Sequence, residues 1–187
     1  MERSSRRRFL ASAAAACAAL AGCSSDAGSG GGGTTAPDDG DGTSTTGAGD
    51  AASGGLRLET VAVEGSPGGE ITFDPPGEPV LLDFFATWCA PCKPQMEHLR
   101  TIHGESDALS MRSVTRETDA DAIRSFWRDY EGTWPVAMDP KLFAFEKYGV
   151  TRVPVKIILD AEGNEVWRHA GLAGADQIRG PVEEALA

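Results

Sequence analysis

The stretch that decides the fold is Val80-Leu81-Leu82-Asp83-Phe84-Phe85-Ala86-Thr87-Trp88-Cys89-Ala90-Pro91-Cys92. Its first seven residues are apolar except for Asp83, a pattern typical of a central strand that is covered on both faces. From about Ala90, apolar side chains recur at helical spacing as far as Ile102, which predicts a helix with one buried face. The stretch therefore predicts a strand followed by a helix, with two cysteines at the first turn of that helix.

The rest of the C-terminal part alternates strand-like and helix-like patterns. Strands are predicted over residues 56–63, 71–73, 80–86, 109–115, 155–159 and 165–169, and helices over residues 90–102, 119–130, 142–148 and 175–186. The turn-rich segment 160–164 joins the last two strands as a hairpin. We therefore predict an α/β fold over residues 56–187, with a central mixed β-sheet flanked by helices.

Residues 1–55 differ in character from the rest of the chain. The string Ser5-Arg6-Arg7-Arg8-Phe9-Leu10 precedes an uncharged, Ala-rich segment that is too short to span a bilayer but suits an export signal. The start is similar to a twin-arginine signal, and Leu20-Ala21-Gly22-Cys23 is similar to a lipoprotein processing site. We predict a signal peptide over residues 1–22, a lipid on Cys23 and a disordered Gly/Ser/Asp-rich tether to residue 55. An ordinary leader with an incidental cysteine is the alternative.

The charge balance restricts the class of partner. The chain has 28 acidic and 17 basic side chains among 187 residues, a formal net charge of −11. Binding to nucleic acid needs a basic surface, so no nucleic-acid partner is expected. Asp is plentiful and Lys is scarce, a pattern that resembles proteins of salt-adapted organisms; a soluble acidic domain is the alternative.

The cysteine pair is the predicted centre of the chemistry. Backbone N–H groups and the helix dipole at a helix start stabilise negative charge, so the pKa of the Cys89 thiol is predicted to lie below its usual value. Cys89 is then the attacking thiolate and Cys92 the thiol that resolves the mixed disulfide. Pro91 restricts the loop between them.

Two alternatives to a redox-active cysteine pair are a zinc site and a purely structural disulfide. Paired cysteines are common zinc ligands, but zinc needs two more ligands, and His98, His103 and His169 show no paired spacing. We therefore expect no metal and no bound cofactor, the redox-active group being the disulfide itself.

Three motifs in order resemble the thioredoxin superfamily. Residues 83–93 look like its active-site segment, residues 148–154 like the loop that ends in its cis-proline, and residues 160–171 like its hairpin. The helical segment over residues 119–130, with the Thr-Trp-Pro string after it, resembles the TlpA-like branch. Members of that branch are membrane-anchored, extracytoplasmic thiol–disulfide oxidoreductases, and they include reductants of apocytochrome cysteines.

The resemblance implies roles for several residues. Cys89 matches the nucleophile, Cys92 the resolving cysteine and Pro154 the cis-proline, beside which the Val153 backbone would hydrogen-bond an incoming peptide. Asp83 matches a buried acid that exchanges a proton with Cys92, unless its side chain faces solvent.

The resemblance also implies roles for the aromatic residues, and the sequence departs from the family pattern at two places. Trp88 is expected to shield the disulfide and, with Pro91, to contact the substrate, whereas Trp134, Phe126 and Trp127 are assigned to the core. TlpA-like proteins often lack an acid at the position of Asp83. Small polar residues commonly follow the cis-proline, but here Val155 and Lys156 follow it, which bears on the peptide that docks there.

The direction of reaction is predicted from the loop between the cysteines and from Asp83. With Asp83 behind the pair, the reduced form should be less favoured. Ala90 and Pro91 add no charge that would stabilise the Cys89 thiolate, and strong oxidants of this fold depend on a stabilised reduced form. We predict a reductant of protein disulfides, supplied with electrons by a membrane protein because no reductant pool is expected outside the cell. The alternatives are a disulfide-forming oxidase, a peroxidase of the same superfamily and a copper-delivery module.

Overall fold

The computed structural model describes residues 54–187. The predicted signal peptide, Cys23 and all but the end of the predicted tether lie outside the described residues. Within the described part, no helix combines the length and the apolar character that a membrane crossing needs.

The described chain forms one seven-stranded sheet and four helices. The strands are β1 (Arg57–Thr60), β2 (Gly69–Thr72), β3 (Val80–Phe84), β4 (Ser110–Thr115), β5 (Val136–Met138), β6 (Val155–Leu159) and β7 (Glu165–Ala170). The helices are α1 (Cys92–Glu105), α2 (Ala120–Asp129), α3 (Phe143–Lys147) and α4 (Ala175–Ala185). The strand order is β2-β1-β5-β4-β3-β6-β7, and only the β3–β4 and β4–β5 pairs are parallel. The predicted mixed sheet flanked by helices is confirmed.

Strand β3 lies inside the sheet, and all five of its residues are buried. Its side chains alternate between two hydrophobic clusters, as the pleat of a strand requires. Leu81 belongs to the cluster that contains both cysteines and the buried faces of α1, α2 and α4, whereas Leu82 and Phe84 belong to the cluster beneath α3. By this alternation the side chain of Asp83 projects to the same face of the sheet as the cysteines.

Three sequence predictions need correction. Helix α1 begins at Cys92 and not near Ala90, because residues 87–91 form a turn that ends at Pro91. Strand β1 spans four residues and not eight, because the chain turns away after Val61 donates to the backbone of Val136. Strand β5 was not predicted at all, since three residues are too few to show a period.

Candidate active site

The two cysteines form a disulfide at the junction of the buried strand β3 and helix α1. Their Cα atoms are 5.3 Å apart. The amide of Cys89 donates to the Ala86 carbonyl and the amide of Cys92 donates to the Cys89 carbonyl, both at 3.1 Å, so the pair lies in a tight hydrogen-bonded turn. Cys89 is 4% exposed and Cys92 is 2% exposed. The disulfide is therefore mostly buried beneath the surface.

Cys92 is the first residue of α1, and Cys89 lies in the turn before the helix. Pro91 precedes it with φ −73° and ψ −14°, already close to helical values. The first amides of α1 have no partners within the helix, and together with the helix dipole they favour negative charge at this end. This setting suits the formation of a thiolate in the turn before the helix.

Asp83 is a buried acid on the disulfide face of the sheet. Its side chain is 1% exposed, so the alternative of a solvent-facing residue is wrong. One carboxylate oxygen accepts from the Ser113 hydroxyl at 2.9 Å, and the other has no hydrogen-bond partner. Burial raises the pKa of Asp83 to about 6, against the opposing attraction of Lys156 and the Ser113 hydrogen bond. Such a group can accept and release a proton near neutral pH.

Lys156 is a second buried charge, although its position two residues after the cis-proline gives no sign of burial in the sequence. It lies directly opposite Asp83 in the register of β3 and β6 and is 0% exposed, so it does not line the surface where a peptide would dock. Its ammonium donates to the side-chain oxygen of Gln95 at 2.8 Å and to the Gly171 carbonyl. Burial lowers the pKa of Lys156 to about 8, opposed by the attraction of Asp83.

Gln95 and Trp134 complete this polar cluster behind the cysteines. Gln95, one turn after Cys92, also donates to the Ala173 carbonyl at 3.0 Å and accepts from the Ala173 amide at 2.8 Å. It therefore ties α1 to the loop between β7 and α4. The indole N–H of Trp134 donates to the Ser113 hydroxyl at 2.8 Å, so Trp134 supports the partner of Asp83 besides filling the core. Phe126 and Trp127 are buried in that core, as predicted.

Apolar residues lie on the loops next to the core cluster that contains the two cysteines. The Val153–Pro154 peptide bond is cis, as the sequence predicted, and Val153 is half-buried. The Gly171 amide donates to the Pro154 carbonyl at 2.9 Å, which brings the loop after β7 beside the proline. The side chains of Trp88 and Leu172 are 63% and 45% exposed. Trp88, which precedes Cys89, and Leu172, in the loop after β7, are thus solvent-exposed apolar groups available to a protein substrate.

The loop before Cys89 is attached to the end of β4 by Glu117. Its carboxylate accepts from the Thr87 amide and the Thr87 hydroxyl, both at 2.7 Å, and from the Thr115 hydroxyl at 3.0 Å. Sequence reasoning missed this residue, because no local pattern connects side chains that are 30 positions apart.

The candidate metal ligands lie apart from one another. Among residues 54–187, no three His, Cys, Asp or Glu side chains are grouped closely enough to hold a metal ion. His103 packs against the Trp134 ring, and His169 stacks on the Trp167 ring with one nitrogen 3.1 Å from the Leu172 carbonyl oxygen.

The sheet order, the cis-proline and the Cys-x-x-Cys disulfide at the start of α1 define a thioredoxin-fold protein. Residues 55–180 match the Redoxin family, and the chain belongs to that family as a TlpA-like member of the thioredoxin superfamily. Among solved structures, MTB dsbF superimposes with a TM-score of 0.62 at 20% identity, over 70% of this chain and 94% of that one. The exposed lipoprotein thioredoxin Etrx1 of Streptococcus pneumoniae gives 0.57 at 25% identity, over 69% and 98%.

The chain is also similar to curated proteins that share this fold. The thiol-disulfide oxidoreductase ResA of Bacillus cereus is 25% identical over 58% of this chain and 64% of its own length. Sporulation thiol-disulfide oxidoreductase A of Bacillus subtilis is 23% identical over 63% of this chain and 74% of its own length. The similarity to the ResA proteins spans less than two thirds of their length.

Proposed function

We propose that this protein is an extracytoplasmic thiol–disulfide oxidoreductase that works as a reductant of protein disulfides. The observation that carries the proposal is the buried carboxylate of Asp83 on the same sheet face as the Cys89–Cys92 disulfide. A dithiol exchanges two electrons, and each exchange requires that Cys92 lose or regain a proton. At pH 7 a carboxyl group with a pKa of about 6 is roughly nine-tenths ionised and can take that proton.

The proposed reaction begins with the dithiol form. The Cys89 thiolate attacks one sulfur of a substrate disulfide, which forms a mixed disulfide and releases the other substrate sulfur as a thiolate. Cys92 gives its proton to Asp83, and the resulting Cys92 thiolate attacks the Cys89 sulfur. The second substrate sulfur leaves as a thiolate and takes the proton from Asp83. The substrate has then gained two electrons, and the pair has become the disulfide.

The charges around the pair support the reducing direction. Ala90 and Pro91 place no cation between the cysteines, and the negative charge of Asp83 opposes a nearby thiolate. Lys156 has the opposite sign, but its ammonium is hydrogen-bonded to Gln95 and Gly171. The pKa of Asp83 stays raised despite Lys156, so burial outweighs that attraction. A less stable thiolate makes the dithiol more reducing.

The location and the substrate are the finer parts of the proposal. The predicted leader and Cys23 would place the domain outside the cell on a lipid anchor, and the similarity to an exposed lipoprotein thioredoxin supports this placement. A membrane protein would return two electrons to the pair, since the space outside the cell lacks a reductant pool. Oxidised Cys-x-x-Cys-His segments of apocytochromes are the proposed substrate class, because the chain resembles a branch that includes reductants of apocytochrome cysteines.

A trapping experiment tests the function. The Cys92→Ser variant of the full chain retains Cys89 and should accumulate a mixed disulfide with an oxidised Cys-x-x-Cys-His peptide, whereas Cys89→Ser should not. The reduced wild-type chain should convert the same peptide to its dithiol with one disulfide formed per peptide. If the reduced chain leaves the peptide oxidised, while the oxidised chain oxidises the reduced peptide, the protein is an oxidase and the proposal is wrong.

A further inference from the structure

The loop that carries the nucleophile is anchored by a carboxylate from a distant part of the chain. Both oxygens of Glu117 accept from Thr87, one from its amide and one from its hydroxyl, each at 2.7 Å. The Thr115 hydroxyl donates to the same carboxylate at 3.0 Å, and the Glu117 amide donates back to that hydroxyl at 3.3 Å. Glu117 is therefore held by β4 while it holds the residue two positions before Cys89.

This contact is one of few that fix the loop before the cysteine. The amide of Phe85 donates to β4 at 3.0 Å, and the amide of Cys89 closes the local turn. The Trp88 side chain, between Thr87 and Cys89, is 63% exposed and contributes little packing. Without Glu117, the Thr87 amide and hydroxyl would lose the partner that orients the backbone leading into Cys89.

We infer that Glu117 is a positioning residue that sets the reactivity of Cys89, holding its loop in place and opposing its thiolate with a negative charge. This inference rests on the proposed function and deepens it, because it assigns part of the reducing character to a residue outside the motif. The Glu117 carboxylate accepts two hydrogen bonds from Thr87, which precedes the nucleophile by two positions in the chain, and a charge held there is expected to act on the charge of the Cys89 sulfur. The helix start favours the thiolate, and Glu117 counteracts that preference.

Other charged residues lie on the neighbouring elements, so the effect of Glu117 has to be measured as a difference. Among them are Asp83 on β3, Lys93 on α1, Arg116 after β4, Asp119 before α2, Arg152 before Pro154, Lys156 on β6 and His169 on β7. A single substitution at residue 117 leaves all of these in place.

Glu117→Gln is the decisive variant. The amide oxygen of Gln can accept from the Thr87 amide and its NH2 group can donate to the Thr87 hydroxyl, so the shape is kept and only the charge is lost. The pKa of the Cys89 thiol should fall by about half a unit to one unit, as followed by the pH dependence of its alkylation in the reduced full chain. The equilibrium with glutathione at pH 8 should move about threefold to tenfold towards the dithiol, which is about 15 to 30 mV.

Two controls separate position from charge. Thr87→Val removes one hydrogen bond but keeps the amide and the carboxylate, so it should leave the equilibrium constant with glutathione within about twofold of wild type. Glu183→Gln, on an exposed position of α4, matches the change in net charge and should have no effect. If Glu117→Gln lowers only the melting temperature while the Cys89 pKa and the potential stay unchanged, Glu117 is merely structural and the inference is overturned.

The inference and the proposed function can fail separately. A wild-type potential in the oxidant range would refute the reductant proposal, whatever the variants do. The difference between Glu117→Gln and wild type tests only the role of Glu117.

Discussion

The oxidised wild-type protein should lose stability between mild acid and neutral pH because of Asp83. Replacing Asp83 with Asn should remove this loss. The pKa of Asp83 is raised by burial from 3.8 to about 6 in the folded state, so the folded protein binds this proton more tightly than the unfolded chain. Stability is lost as the pH rises from about 4 to about 6, and the loss levels off above that window. The full difference of about two pKa units is worth about 3 kcal/mol.

The size of the effect between two chosen pH values follows from the difference between the pKa of Asp83 in the folded and in the unfolded state. At pH 4.5 roughly 1 kcal/mol of the stability has already been lost, and at pH 7.5 about 3 kcal/mol has been lost. Between these two pH values the free energy of unfolding of wild type should therefore fall by about 2 kcal/mol more than that of Asp83→Asn. The ammonium of Lys156, whose pKa is lowered to about 8, stays largely protonated in wild type over this window. The attraction of Asp83 raises the pKa of Lys156, so in Asp83→Asn that pKa falls further, and the deprotonation of Lys156 towards pH 7.5 adds to the difference between the two proteins.

Urea unfolding of the oxidised full chain at these two pH values measures the difference. Asp129→Asn, at an exposed position of α2, is the matched control and should follow wild type. Equal pH dependence of wild type and Asp83→Asn would mean that Asp83 titrates alike in the folded and unfolded states. The account of Asp83 as a proton acceptor with a raised pKa would then be refuted.

Three further predictions follow from contacts around the site. Asp83→Asn should slow the resolution of a mixed disulfide by about a hundredfold at pH 7, seen by stopped-flow as a persistent adduct, because Cys92 loses its proton acceptor; an unchanged rate would exclude that role. Lys156→Met should raise the pKa of Asp83 above about 6, so the pH profile of the rate of mixed-disulfide resolution should shift to higher pH. An unshifted profile would show that Lys156 has no influence on Asp83. Gly132→Ala should cost about 1 to 3 kcal/mol in urea unfolding, since a Cβ atom there would lie 2.4 Å from the Trp127 ring, whereas Gly104→Ala meets nothing within 4 Å and should be neutral or stabilising.

The sequence predicted those parts of the fold that depend on local patterns. The apolar run around Leu82 predicted a buried central strand, and the spacing from Met96 to Ile102 predicted the buried face of α1. The Asp-Ala-Glu-Gly-Asn string predicted the β6–β7 hairpin. Each of these patterns lies within about a dozen residues, where period and turn chemistry act directly.

The features that the sequence did not reveal depend on pairing across the sheet. Strand β5 is too short to show a period, and its place between β1 and β4 supports it. In the sequence, Lys156 stands where small polar residues commonly follow the cis-proline. In the structure it pairs with Asp83 in the register of β3 and β6, and its side chain is buried. The hydrogen bonds that Thr87 donates to Glu117 depend on β4 lying beside β3. Such relations exist only once the strands are ordered.

The reduction potential of the full chain tests the central claim most directly. Equilibration with glutathione mixtures, followed by alkylation of the free Cys89 and Cys92 thiols, gives the ratio of dithiol to disulfide. The account predicts a potential near that of thioredoxin, about −270 mV. A potential near −120 mV, in the range of strong disulfide-forming oxidants, would contradict the assignment of this protein as a reductant.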